Sequence, residues 1–407
     1  MDNAAQATPR YNKKREAIIA AAAGILNRRG VRGMTLSDVA ASVDLITTSV
    51  TYYFRKKEDL AVACYLRGIA RFSALISDAL TESDPRRRLH RVIAEWLALH
   101  EKIRQGDEAP IAVFGDIRAL KEPHIRVVAE AYGAFFRKAR ALFRAPGYEW
   151  LNRRIATART HMLLEQLYWS VAWLPRYELV DYPRIRERMY EILAGGLAKP
   201  RARWNPQTLS EAFVPEPGPA LSARDTFLAA ATRLINQRGY RGASVDKISA
   251  QLNVTKGSFY HHNDAKDDLV VACFERSFET MRRTQTAALK QGGDHWQMIS
   301  SAAATLAEYQ LSEQGPLLRT SALGALPEPM RIRMVEISNR VSERFAAMIS
   351  DGVAEGAIRA VDPYIAAQML NAVLNGASDL PFVIPDLKPA DLVELCARPM
   401  LMGIFAR

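Results

Sequence analysis

The sequence predicts an all-α chain made of two tandem helical units, and three observations carry that expectation. Residues 15–67 can be laid on residues 224–276 at a constant offset of 209 without a gap, with roughly a third of the columns identical, a self-similarity on the scale of a small domain. Apolar residues recur at three- and four-residue spacing in both copies, and no alternating strand and helix pattern accompanies them. Between the copies, residues 199–219 hold Pro200, Pro206, Pro215, Pro217, Gly218 and Pro219, a composition that cannot sustain a helix.

Each copy can be read element by element. Lys13, Lys14 and Arg15 lead into a helix over 10–29 whose Ala17, Ile18, Ala21, Ala22, Ile25 and Leu26 share one face, and Gly30 stops it. Thr35 and Ser244 each precede a short apolar-periodic run, as a hydroxyl N-cap should. After a break at 43–45 and 252–254, a third short helix begins. It reads Ile46-Thr-Thr-Ser-Val-Thr-Tyr-Tyr-Phe in the first copy and Thr255-Lys-Gly-Ser-Phe-Tyr-His-His in the second. Helix, tight turn, helix is the helix-turn-helix arrangement. The anchors shared by the copies include Asn27 with Asn236, Arg29-Gly30 with Arg238-Gly239, Ser49 with Ser258, Lys57 with Lys266, and Asp59-Leu60 with Asp268-Leu269.

At 407 residues the chain is too long for one core and comfortable for two of about 200 residues each. The net charge of +11 is unevenly shared: counting Lys and Arg against Asp and Glu gives about +13 for residues 1–210 and about −2 for the remainder. That asymmetry points to a polyanion engaged mainly through the first half. Cys64, Cys273 and Cys396 show neither metal-ligand nor disulfide spacing, and Cys64 and Cys273 share a repeat column where a small buried apolar residue is expected. The longest apolar run, 17–26, is about half a membrane span, and the N-terminus does not read as a secretory leader, so a soluble cytoplasmic protein without a membrane partner is expected. Phosphate-cradling glycine loops, nucleophile elbows and paired-cysteine zinc spacings are missing from the sequence. The expectation is therefore no enzyme, no cofactor and no metal.

The order of small residues, followed by Gly-Ser-Phe-Tyr-His-His and then Lys-x-Asp-Leu, resembles the DNA-binding domain of the TetR family of bacterial transcriptional regulators. The resemblance is strong over each N-terminal segment and covers the following 130 or so residues only in layout. It implies two tandem TetR-like units, each an N-terminal helix-turn-helix domain plus a helical ligand-binding and dimerisation domain. The implied divisions are a head at 8–66, a regulatory domain at 67–199, a Pro-rich linker at 200–219, a second head at 220–275 and a second regulatory domain at 276–407. The ends of the halves, 149–198 and 362–406, each read as two long helices with a proline-containing break, similar to the pair through which family members dimerise. A Pro-rich tether extends by about 3.1 Å per residue and keeps its ends at roughly millimolar effective concentration. An intramolecular pseudo-dimer is expected, with further association of chains left open.

A short helix fits the major groove, with small polar side chains reaching base edges while hydroxyls and lysines hold phosphates. By the resemblance, base contacts fall on Thr47, Thr48 and Thr51 and on Lys256, Gly257 and His261, with Ser49, Thr255 and Ser258 on the same helices. Phosphate contacts fall on Thr35, Tyr52, Tyr53 and Lys57, and on Ser244, Tyr260, His262 and Lys266. Val50, Phe54 and Phe259 read as core. The sequence departs from the family at Thr51, where a phosphate-reaching tyrosine is usual, and at Asn263, where an aromatic is usual. Asp264, Asp267 and Asp268 near the groove are expected to weaken the second head's hold on DNA.

In the first regulatory domain Trp96, Phe114, Tyr132, Phe136, Tyr168 and Trp169, with Phe135 and Trp173 beside them, fall on helical patterns suited to lining a mostly apolar pocket, or equally to packing a helical core. His161 is placed with them, and His161 and Glu165, one turn apart, lack the further ligands a metal needs. Trp296, Tyr309, Arg319 and Met369 are the counterparts in the second half. The function expected is a ligand-responsive, sequence-specific DNA-binding regulator, a repressor by the resemblance, binding double-stranded DNA and a small-molecule effector. A single-chain pseudo-dimer should read two unlike half-sites about 34 to 36 Å apart. The effector should shift the helix over 56–79 or 265–290 and so change the spacing of the heads. The alternative is a protein-interaction or scaffold module in which the second head no longer reads DNA.

Overall fold

The computed structural model describes residues 8–114, 117, 120–209, 219–242 and 266–407. Among the described residues no strand occurs, and one isolated antiparallel bridge joins Ala198 to Ile358. Half one comprises α1 (Pro9–Gly33), α2 (Leu36–Ala41), α3 (Thr47–Tyr53), α4 (Lys57–Ala79), α5 (Pro85–Gln105), α6 (His124–Arg140), α7 (Arg153–Trp173) and α8 (Tyr182–Gly195). Half two contains α9 (Pro219–Gly242), α10 (Lys266–Gln291), α11 (His295–Tyr309), α12 (Glu328–Ala354), α13 (Pro363–Gly376), α14 (Pro389–Leu392) and α15 (Arg398–Met402).

Gly30 (φ 64°) and Gly239 (φ 71°) break α1 and α9 at the same repeat column, in a backbone region that a side chain disfavours. Equivalent helices are also capped alike where sequence identity has vanished. Asp84 accepts from the Arg86 amide at the start of α5 and Asp294 from the Gln297 amide at the start of α11; Asn152 and Asp362 do the same for α7 and α13. Each such cap stabilises its helix by about 0.5–2 kcal/mol.

The repeat extends to tertiary bonds. The Asn27 side chain donates to the Ile111 carbonyl at 2.8 Å and accepts from the Val113 amide at 2.9 Å; Asn236 donates to the Leu317 carbonyl at 2.9 Å and accepts from the Arg319 amide at 3.0 Å. Arg67 pairs with Glu16 as Arg276 pairs with Asp225. Each head's first helix is thereby clamped to its own regulatory half. The central helix α4 buries Leu60, Tyr65, Ile69, Phe72 and Ile76 among α1, α5 and α6. Among the described helices α4 alone is long and apolar enough to cross a membrane, and those buried side chains make it a core helix of the bundle. Cys64, Cys273 and Cys396 are all buried, and burial pushes each thiol up to about 12.

The halves pack through α7 and α8 against α13 and the C-terminal segment. The Leu197 amide donates to the Leu401 carbonyl at 2.7 Å while the Ile404 amide donates to the Leu193 carbonyl at 2.8 Å. The two bonds are reciprocal, as at a two-fold contact. Leu197 and Ile404 each follow a glycine of positive φ, Gly196 and Gly403. A Cβ on Gly196 would overlap the Leu401 carbonyl oxygen, so glycine is what allows the two backbones to meet.

One expectation needs correction. The second long helix at the end of half two is short and irregular: a π turn, Val393–Ala397, separates α14 from α15. Pro399 has no N–H to give the Leu395 carbonyl, and Arg159 of α7 supplies the missing donor, its Nη1 lying 3.2 Å from that oxygen and its Nε 2.9 Å from the Ile404 carbonyl. The connector is free of helix over its described part, as its prolines require, and it is held to half two. Residues 202–209 lie without helix along α11, where Ser301 and Thr305 accept from the Gln207 and Leu209 amides and Trp296 donates to the Arg203 carbonyl.

Candidate functional site

The first head is built by packing α2 and α3 over α1. Val50 and Phe54 are buried, which turns the opposite face of α3 outward: Thr47, Thr48, Thr51 and Tyr52 are exposed, Tyr52 by 74%. Ser49 and Tyr53 are half-buried. The Thr51 hydroxyl donates to the Thr47 carbonyl at 2.6 Å, leaving it only its acceptor lone pairs. Thr35 is exposed and caps α2, accepting from the Asp38 amide at 3.0 Å and donating to the Asp38 carboxylate at 2.8 Å. That hydroxyl, helped by the Arg29 guanidinium, holds the Asp38 carboxyl below its usual value. Lys57 opens α4 with its Nζ 3.4 Å from the Met34 carbonyl.

One residue of this surface escaped the sequence reading. Tyr11, on the first turn of α1, lies 4.7 Å from the ring of Tyr53 and 6.1 Å from that of Tyr52, with Tyr52 edge-on to Tyr53 at 5.2 Å. Three phenols thus gather where α1 and α3 meet. The repeat gave no signal for it, because Ala220 stands in the equivalent column.

In the second head, Ser244, Thr255, Lys256, Gly257, Ser258, Tyr260, His261 and His262 lie outside the described residues, as does the side chain of Lys266. Asp267 and Asp268 stand in the first turn of α10, as Glu58 and Asp59 stand in the first turn of α4. Carboxylates there are favoured by the helix N-terminus, so both heads carry this feature and it does not set the second apart. Asp264, opposite Arg55 in the repeat, remains a difference of sign.

Half one holds a partly open cavity of about 190 Å³. Trp96, Phe114 and Tyr168 line it, together with Phe72, His100, Tyr182 and Arg104. Tyr132 stands behind this wall, its hydroxyl 3.5 Å from that of Tyr168 and its ring 5.5 Å from that of Phe114, and buried Phe136 backs Tyr132 at 6.4 Å. Burial pushes the Tyr132 phenol up to about 12. His100, one turn beyond Trp96, was legible as a same-face partner; its Nε2 is buried without a hydrogen-bond partner, and burial lowers its pKa to about 4.

His161 and Trp169 do not line that cavity. The helix α7 is buried around most of its circumference, and both residues face half two: His161 Nε2 lies 2.8 Å from the Gly376 carbonyl, and Trp169 Nε1 donates to Gln368 Oε1 at 3.0 Å. Glu165, on that same side, accepts from Arg319 at 3.2 Å. Trp169 and Glu165 therefore wall the second half's cavity, which at about 30 Å³ has room for about one water. Arg319 is an ion-pair partner outside that small cavity's lining, Trp296 packs edge-on to Trp204, and Tyr309 and Met369 are buried. Among the described residues no group of three or more His, Cys, Asp or Glu could hold a metal.

Comparison with known proteins gives the heads a lineage. Residues 18–64 and 227–273 each match the profile described as "Bacterial regulatory proteins, tetR family". The chain is 27% identical over 158 residues to the HTH-type transcriptional repressor DhaR of Mycobacterium sp. (strain GP1), covering 38% of this chain and 79% of the relative. It is 33% identical over 69 residues to the HTH-type transcriptional repressor NemR of Escherichia coli (strain K12), covering 17% of this chain and 35% of the relative. Among solved structures, the TetR family regulator PfmR from Thermus thermophilus aligns at 20% identity and a TM-score of 0.37, covering 44% of this chain and 97% of that one. With the two profile matches separated by the repeat's own offset, the chain carries in tandem two N-terminal domains of the TetR family of helix-turn-helix transcriptional regulators.

Proposed function

We propose that this chain is a ligand-responsive, sequence-specific repressor that binds an asymmetric operator as a single-chain pseudo-dimer. The observation that carries the reading is the reciprocal pairing of Leu197 with Leu401 and Ile404 with Leu193, which joins the two halves within one chain as two subunits would be joined. Thr47, Thr48, Thr51 and Tyr52 supply the first head with an exposed polar face of the kind that reads a major groove. Thr35, Tyr53 and Lys57 flank it for phosphates. The equivalent second-head set, Ser244 to Lys266, reads a different half-site because its residues differ from those of the first head. Repressor function accords with the names of DhaR and NemR.

The effector enters half one, whose cavity is several times the larger. Its wall includes Phe72 of α4, and the first turn of the same helix carries Lys57 and Asp59, the latter 2.8 Å from His124 of α6. A ligand that pushes on Phe72 moves α4 against that anchor and changes the separation of the heads. It releases DNA to the extent that it binds the DNA-incompetent spacing more tightly. The site of action is the cytoplasm.

Fluorescence anisotropy of a labelled duplex tests the DNA reading. Affinity should fall by orders of magnitude between about 50 and 200 mM salt if several phosphates are held. Salt-independent binding, or none, would contradict it.

A further inference from the structure

The polar groups around the half-one cavity can be accounted for one by one. Trp96 Nε1 donates to Ser170 Oγ at 2.9 Å, and both ends of the Asn27 amide are engaged with Ile111 and Val113. Arg104 Nη1 donates to the Tyr177 carbonyl at 2.8 Å and to the Tyr182 hydroxyl at 3.0 Å, which holds this exposed guanidinium at the edge of the cavity. The Tyr168 hydroxyl meets that of Tyr132. His100 Nε2 is left, buried and without a partner among the described residues. A buried polar atom in that position costs free energy unless an occupant meets it.

The remainder of the cavity is aromatic. Phe72 stacks on Trp96 at 4.6 Å, Phe114 and Tyr168 meet edge-on at 5.5 Å, and the His100 ring stands edge-on to Trp96 at 4.3 Å. At about 190 Å³ the cavity exceeds the roughly 150 Å³ that accommodates benzene in an apolar protein interior by about one substituent. An ionised carboxylate moved into these surroundings would lose its hydration without gaining a buried cation.

We infer that this cavity takes a small uncharged monocyclic aromatic molecule with one hydrogen-bonding substituent, a phenol in chemical class, placed so that the substituent meets His100 Nε2. The inference rests on the effector reading above and names the class of effector. A phenol hydroxyl both donates and accepts, and so satisfies either tautomer of the imidazole. Burial keeps that imidazole neutral near pH 7. One molecule fills this cavity, whose volume has room for a single substituted ring.

The test is calorimetric titration of the full chain, without DNA, with three probes of one shape: p-cresol, toluene and p-toluate. The expected result is saturable binding of one p-cresol per chain, at least tenfold tighter than toluene or p-toluate. His100→Leu should weaken p-cresol at least tenfold and leave toluene binding unchanged, which also reports that the cavity is intact. Should that variant fail to bind toluene, Val171→Trp, which fills the cavity from α7, must abolish p-cresol binding with the helical content unchanged. The inference is overturned if p-toluate binds tightest, if p-cresol and toluene bind equally, or if no probe saturates. Because binding is read without DNA, p-cresol that binds as expected but leaves DNA affinity unaltered supports the site and overturns only its role as effector site.

Discussion

Arg319 of half two and Glu165 of half one form a part-buried ion pair, Nη2 lying 3.2 and 3.3 Å from the two carboxylate oxygens, and the same guanidinium also meets Asp379. The two carboxylates raise the guanidinium's pKa against the opposing effect of burial. The Arg319 amide is bound by Asn236 of α9, and the 3₁₀ turn that follows, Thr320–Ala325, touches both α1 and α9. One segment therefore links the seam between the halves to the first helix of each head.

Removing Arg319 leaves the part-buried Glu165 and Asp379 without their shared cation, a change whose upper bound is the cost of breaking a fully buried pair, about 3–5 kcal/mol. Arg319→Ala should lower the thermal midpoint well below that of Glu165→Gln, in which Asp379 still balances the cation. Equal midpoints would mean that the pair is solvated.

Gly196→Ala should separate the two halves locally. The new Cβ overlaps the Leu401 carbonyl and sits at φ 68°, so the Leu197–Leu401 bond is lost with it. A loss of about 2 kcal/mol or more in denaturant unfolding is expected, whereas Gly106→Ala, with positive φ but open space around it, should cost less.

Thr48→Ala removes an exposed group of α3 that is free of intrahelical bonding, and is expected to lower operator affinity by about 1–3 kcal/mol at one base position. Thr51→Ala should lower it less, since that hydroxyl's proton is already given to the Thr47 carbonyl. Lys57→Ala should weaken binding to all duplexes alike and reduce the salt slope by about one. Anisotropy over a panel of single-base variants separates the three.

His100 imposes an acid limit on stability. Its imidazole titrates near 4 in the folded chain against an ordinary 6.5, so the unfolded chain takes up the proton first as the pH falls. Its contribution is complete above pH 6.5 and is lost between 6.5 and 4, on the order of 3 kcal/mol in all. In His100→Leu that part of the acid destabilisation should be missing from denaturation curves taken across this range. A pH dependence identical to that of the parent would place the imidazole in water.

Local features were legible in the sequence, and long-range partners were not. Thr35 as a cap and Gly30 as a break depend on residues within one turn, so spacing reveals them. His161 and Glu165 do share a face, as their spacing indicates, but what that face meets is Gly376 and Arg319, at separations of 215 and 154 residues. No periodicity encodes such pairings. The aromatic pattern placed Trp96, Phe114 and Tyr168 together, yet could not divide α7 into a side facing its own bundle and a side facing half two, because both sides are apolar. Irregularity at the C-terminus followed from one proline and an arginine some 240 residues away, as Pro399 and Arg159 show.

The most direct measurement is selection of bound sequences from a random duplex pool by the full-length chain, followed by the number of chains on each selected duplex. The account predicts one chain on an asymmetric site made of two unlike half-sites about one helical turn apart. A palindromic site occupied by two chains would contradict it, placing the functional pairing between chains and leaving only one kind of head to read DNA.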